Sequence, residues 1–341
     1  MKRVLYIFIM ACALAGCCEN NDMQFGDNLI ALNASIFETN STTRALKADE
    51  VRGDEPSREY PLEVLACFST TSGAYSQSPT PVAPSYLPCN TTINYIDKIK
   101  TFPDPYEGNN LKQLKYPSDN SPVYCVGLYP KEDWSFPANN KIRYEINGEK
   151  DVMFAPEISG KWEYPFTTQT FTHMQAWLRI VICANNKDAI EAWGGIDSIK
   201  IKSRKYIDID LAKKPDPSVA ASFAAEGGIE YTGEKGMIVV SAEDSVELST
   251  QLQEVCSFFY IPLNITNDEN PDQTILIYTK NKGVKEVHFK LVDKDNKPIK
   301  NIHDAISKLY VLELHFQPFD FIKANCALKE WEAWDDNLYM E

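Results

Sequence analysis

Four histidines, His173, His288, His303 and His315, are the side chains in this sequence best suited to moving protons near neutral pH. None has metal-ligand spacing, and none adjoins a serine or cysteine in a nucleophile motif. His173, His288 and His315 fall in strand-like runs and read as structural or surface histidines. Carboxylates are abundant, but nothing singles out the two that glycoside hydrolysis requires. Asp293 and Asp295 have the spacing that opens a calcium loop, but Lys297 and Pro298 break the ligand pattern, so a hairpin turn is the expectation. The nine cysteines include no C-x-x-C pair, which leaves zinc and dithiol redox chemistry unsupported. Cys67, Cys125, Cys183, Cys256 and Cys326 sit in apolar runs and are expected mostly as buried free thiols. Arg52-Gly53-Asp54 is an adhesion tripeptide in a loop-like stretch, though so short a string recurs by chance. No catalytic residue, metal site or cofactor is expected.

The chemistry that spacing does specify is covalent and lies at the amino terminus. Lys2 and Arg3 precede an apolar run over residues 4–14, the length of a signal-peptide core and too short to span a bilayer. The run ends in Leu14-Ala15-Gly16-Cys17, which resembles the lipobox of bacterial lipoproteins. That resemblance implies cleavage before Cys17 and acylation of its thiol and amine. Each buried methylene contributes ~0.8 kcal/mol, so several acyl chains hold a protein firmly at a membrane.

The rest of the chain must build the scaffold. A net charge of −14 argues against nucleic acid as a partner and against electrostatic binding to anionic lipid. Hydrophobic residues at 44% suffice for real cores. Short runs rich in β-branched and aromatic residues recur between turn residues: 60–68, 122–129, 141–146, 151–155, 171–184, 196–209, 237–241, 257–263, 273–279, 284–292, 308–316 and 321–331. Residues 29–37 alternate loosely and predict one more strand. Asn147-Gly148 marks a turn. Only 188–193 and 246–255 look helical. This spacing predicts an all-β protein of two sandwiches with short helical insertions. Lys213 to Ser218, with two prolines, has linker character. The expected layout is a signal peptide (1–16), a tether with the first strand (17–45), an N-terminal sandwich (46–213) and a C-terminal sandwich (214–341).

Several motifs in order resemble the fimbrillins, the type V pilus subunits and accessory proteins of anaerobic gut and oral bacteria. They are Asn33-Ala34-Ser35-Ile36 with Thr43-Arg44-Ala45; Val123-Tyr124-Cys125-Val126-Gly127-Leu128-Tyr129-Pro130; Asp151-Val152-Met153-Phe154-Ala155; Phe171-Thr172-His173-Met174; and Tyr310-Val311-Leu312-Glu313-Leu314, with closing strands that end in Trp331. The resemblance implies two tandem transthyretin-like β-sandwiches. It implies a fimbrium at the cell outer membrane, exposed at the surface and tethered through Cys17. It implies partnership with other pilus subunits by β-strand exchange: proteolysis between Arg44 and Ala45 removes the strand at 29–37, and another subunit's strand refills the groove. Host or bacterial surface ligands would be further partners. Shaft, tip and anchor roles stay open, because the carboxyl end is short and acidic for a donor strand. A carbohydrate-binding surface lipoprotein is the alternative. In that case Trp134, Trp162, Trp193 or Trp334 would line a sugar site, whereas Trp177 and Trp331 read as core.

Overall fold

The computed structural model describes residues 30, 32–36, 61–73, 89–94, 115–138, 140–211, 229–233, 235–240, 245–263, 265 and 272–329. Within them the chain is an all-β protein of four open sheets. The first sheet runs in the order β1-β8-β7-β4-β2-β3. Its strands are β1 (Asn33–Ile36), β2 (Pro61–Ser69), β3 (Cys89–Asn94), β4 (Val123–Tyr129), β7 (Met153–Gly160) and β8 (Thr168–His173). All neighbours are antiparallel except β1 and β8, which are parallel. A second sheet orders β12 (Ile229–Thr232), β11 (Tyr206–Asp210), β6 (Lys141–Glu145) and β5 (Trp134–Ala138).

Alternation explains how these two sheets meet. Val126 and Leu128 of β4 and Phe154 of β7 share a core cluster with Ile142 and Tyr144 of β6 and Ile207 and Ile209 of β11. The polar residues between them, Arg143 and Asp208, pair on the outer face at 2.5 and 2.9 Å.

The third sheet is β13 (Lys235–Val240), β10 (Ile196–Ser203), β15 (Gln273–Thr279) and β16 (Gly283–Phe289). The fourth is β14 (Gln253–Tyr260), β9 (Ala176–Ala184), β17 (Leu309–Phe316) and β18 (Ile322–Lys329), with β9 and β17 parallel. Ile199, Ile201, Ile275 and Ile277 share the same core with Leu178, Ile180, Leu312 and Leu314. β9 is buried along nearly its whole length, and near its start Trp177 clusters with its cross-strand neighbours Phe259 and Leu309. Trp177 is core, as expected.

Two long apolar runs each turn out to be two strands. The run at 171–184 divides at Met174 and Gln175, where the chain leaves the first sheet for the fourth. The run at 196–209 divides at Arg204 and Lys205, where it leaves the third for the second. As a result β9 and β10 pair with β13, β14, β15 and β17, all beyond residue 213, so sheet pairing does not divide at that position.

Helix α1 (Lys187–Trp193) matches expectation. Asn186 caps it by accepting from the Ala189 N–H, and Gly194 closes it at φ 73°. The helix expected at 246–255 does not form. Val246 and Ile196 exchange backbone hydrogen bonds, Ser249 O accepts from Ala184 N, and β14 begins at Gln253. The backbone groups a helix would need are taken by other segments. A second short helix, α2 (Ile302–Ala305), precedes β17. Among the described residues no helix is long and apolar enough to cross a membrane.

Candidate functional site

β1 lies at the edge of the first sheet, its residues Asn33 to Ile36 in parallel register with Thr168 to Phe171 of β8. Just before it, Ile30 and Leu32 are fully buried. They share a cluster with Ala66 and Phe68 of β2, Val123 and Cys125 of β4, and Tyr116 and Phe166 from the flanking loops. This cluster covers the face of the sheet opposite the main core. Within the segment predicted as a strand at 29–37, the described residues 30 and 32–36 are therefore held at an edge by backbone pairing and by two side chains in an apolar seat.

The seat has its own supports. The Tyr116 hydroxyl accepts from the Phe166 N–H at 2.9 Å, and their rings lie 5.6 Å apart. Burial pushes the Tyr116 hydroxyl up to about 12. A Cβ on Gly160 would lie 2.7 Å from the Phe166 nitrogen, so only glycine lets the 160 and 166 backbones come this close. The buried amide of Gln169, on β8, donates to the carbonyls of Cys125 and Pro156 at 3.4 and 3.3 Å. It thereby satisfies acceptors near the register shift in the β4–β7 ladder. Glu157 accepts from Ser72 and from Gly73 N at 2.6 and 2.7 Å, tying the turn after β2 to β7.

Two motifs that were separate in the sequence meet where β8 passes into β9. Asp151, fully buried, lies 2.6 Å from Nδ1 of His173, which is 5% exposed. Its other oxygen, Oδ1, has no partner. Gln175 Oε1 accepts from Val152 N at 2.9 Å, and Ser307 Oγ donates to the His173 carbonyl. The serine bonds backbone rather than the imidazole, so this is a clamp on the sheet-to-sheet crossing and not a nucleophile site. His288 and His315 lie in β16 and β17, again as structural or surface residues.

A contact the sequence did not reveal joins Cys183 of β9 to His315 of β17, Sγ to Nδ1 at 3.1 Å, with Glu313 3.5 Å from the other ring nitrogen. It arises from the parallel register of two strands 132 residues apart in sequence. Burial, then the charge of Glu313, raises the Cys183 thiol, which keeps it protonated and a poor nucleophile. Cys67, Cys125, Cys183, Cys256 and Cys326 are all free thiols, as anticipated. Among the described residues no cluster of His, Cys, Asp or Glu is arranged to hold a metal. Asp293 accepts from the N–H groups of Asp295 and Lys297, both at 2.9 Å, in the hairpin turn foreseen there. Cys17, Arg44, Ala45, Trp331 and Trp334 lie outside the described residues.

No protein-family profile matches the chain, and no curated protein matches it in sequence. Solved structures do match in fold. A proposed cell adhesion protein from Bacteroides uniformis superposes with a TM-score of 0.52 at 12% identity, over 89% of this chain and 98% of its own. Another, from Bacteroides ovatus, gives 0.50 at 13% identity, over 91% and 99%. The chain shares its all-β fold with these two proteins along nearly their whole length. A fimbrial protein from Bacteroides vulgatus, at 9% identity and a TM-score of 0.39, is too distant to add to that assignment.

Proposed function

We propose that the chain is a non-enzymatic, adhesive surface protein: a structural or adhesive subunit of a bacterial fimbrium, exported as a lipoprotein on Cys17 and assembled by strand exchange. The observation that carries this reading is the seat of the leading segment. An edge strand in parallel pairing, preceded by two fully buried aliphatic side chains, is an arrangement another chain's strand could reproduce. Cleavage between Arg44 and Ala45 would free residues 30–36 and expose both the β8 edge and the apolar cluster. A neighbouring subunit would then cover an edge that otherwise invites aggregation. The fold shared with proposed adhesion proteins supports the same reading.

The test treats the purified precursor with an Arg-specific protease. Amino-terminal sequencing should find Ala45 as the new start, and native gels should then show ladders. Complete cleavage that leaves monomers and no ladders would refute strand exchange. Metabolic labelling with palmitate should mark the parent and not Cys17→Ser.

A carbohydrate-binding surface lipoprotein is the second reading. It draws on Trp162 and Tyr164, exposed by 42% and 69% in the tight turn after β7. Trp162→Ala should abolish retention on a glycan array if that reading holds.

A further inference from the structure

Exposed large apolar side chains are informative where they cluster. Phe319 is 91% exposed and Phe321 59%, both in the turn between β17 and β18. Val284, 50% exposed, is the second residue of β16, just after the neighbouring turn at 280–282.

The two turns are bound to each other and to α1. Asp320, at φ 65°, bridges Lys285 at 2.8 Å and Lys282 at 3.6 Å. Gln317 N donates to Phe321 O, and Trp193 Nε1 donates to Gln317 O at 2.6 Å. The Lys282 ammonium sits 5.1 Å over the Trp193 ring, and Asn281 Nδ2 donates to Glu191 O. The rings are thus displayed by two turns that are tied to each other and to α1.

The charge there opposes that of the whole chain. Residues 279–286 and 317–323 carry Lys280, Lys282, Lys285 and Lys323 against Glu286 and Asp320, in a chain of net charge −14. Lys280 and Lys323 are exposed. Helix α1 beside them adds Lys187, Asp188 and Glu191.

We propose that the paired turns at 279–285 and 317–323 form a wedge that enters the headgroup region of an anionic lipid surface. Area argues against a protein partner. Two phenylalanines and a valine at these exposures present ~400 Å², where burying a whole aromatic side chain covers ~150–250 Å². A stable protein interface needs about 800 Å² from each side. A lipid surface needs no matching socket. Aromatic rings with flanking lysines suit the boundary between acyl chains and headgroups, and the lysines add attraction to anionic lipid. The proposal is independent of strand exchange.

Deuterium exchange on the full-length chain tests it, because the readout is local and a tether at Cys17 does not affect it. Phosphatidylcholine vesicles with about one-third phosphatidylglycerol, the anionic component, are compared with phosphatidylcholine alone. Uptake in peptides covering 279–285 and 317–323 should slow severalfold on the anionic vesicles. The effect should weaken as salt is added and disappear in Phe319→Ser/Phe321→Ser. Both positions are exposed, so the double variant should keep parental uptake everywhere else. Unchanged uptake on anionic vesicles, equal protection on neutral ones, or protection that survives the double substitution would overturn the proposal. Protection that grows with protein concentration in lipid-free solution would overturn it in favour of self-association.

Discussion

Replacing Ile30 and Leu32 together by alanine probes how the leading segment is held. Burying two such side chains contributes ~3–6 kcal/mol. Four register pairs with β8, at about 1 kcal/mol for each net hydrogen bond, add ~4 kcal/mol. Ordering residues 30–36 costs ~7–14 kcal/mol at 1–2 kcal/mol per residue. The seated segment is therefore close to balance. Its covalent link to the domain, which holds it at high effective concentration, keeps it in place. Truncation to alanine should remove ~2–4 kcal/mol of the burial term, raising the open-to-seated ratio ~30- to 700-fold, at tenfold per 1.4 kcal/mol. The main core does not include Ile30 or Leu32, so the rest of the protein should stay folded. Hydrogen exchange should accelerate in peptides covering 30–36 and 168–173, while the urea midpoint of the main transition stays nearly unchanged. If instead the urea midpoint falls steeply without local opening, the segment is an integral part of the fold. The idea of a removable strand would then be wrong.

Three further outcomes follow from the geometry. Gly127→Ala places a Cβ 2.5 Å from Phe171 Cζ and 3.0 Å from Gln169 Oε1, and should cost ~1–3 kcal/mol in urea unfolding, with Phe171→Leu on the same background recovering part of it. Asp151→Asn replaces the buried hydrogen-bond partner of His173 with an amide and should lower stability by ~1–3 kcal/mol, read from the same denaturant curves. Burial pushes the Asp208 carboxyl up, but hydrogen bonds from Arg143 and Thr232 outweigh burial and hold it below the ordinary carboxylate value. A lowered folded-state pKa contributes stability above the unfolded value that is lost as pH falls through the folded value. Asp208→Asn should therefore flatten the acid limb of stability against pH below about pH 4, with an unchanged limb counting against the assignment.

The sequence alone determined the all-β class, most of the strands, the positions of most turns and the helix at α1, but not β3, β5 or β12. Each depends on local information. Side-chain alternation marks which face of a strand is buried, as in Ile142 and Tyr144, and capping residues such as Asn186 and Gly194 mark a helix end. Only the tertiary structure decided how those strands are shared among sheets. The apolar run at 171–184 continues without interruption through the point where the chain changes sheets, because both halves are buried. Nothing local separates Met174 from Ile180. The failed helix at 246–255 has the same origin, since Ile196 and Ala184, far away in sequence, take its backbone hydrogen bonds. Asp151 meets His173, and Cys183 meets His315, only through strand register. The exposure of Phe319 likewise emerges only in the fold. Periodicity is encoded residue by residue, but pairing is a property of the whole chain.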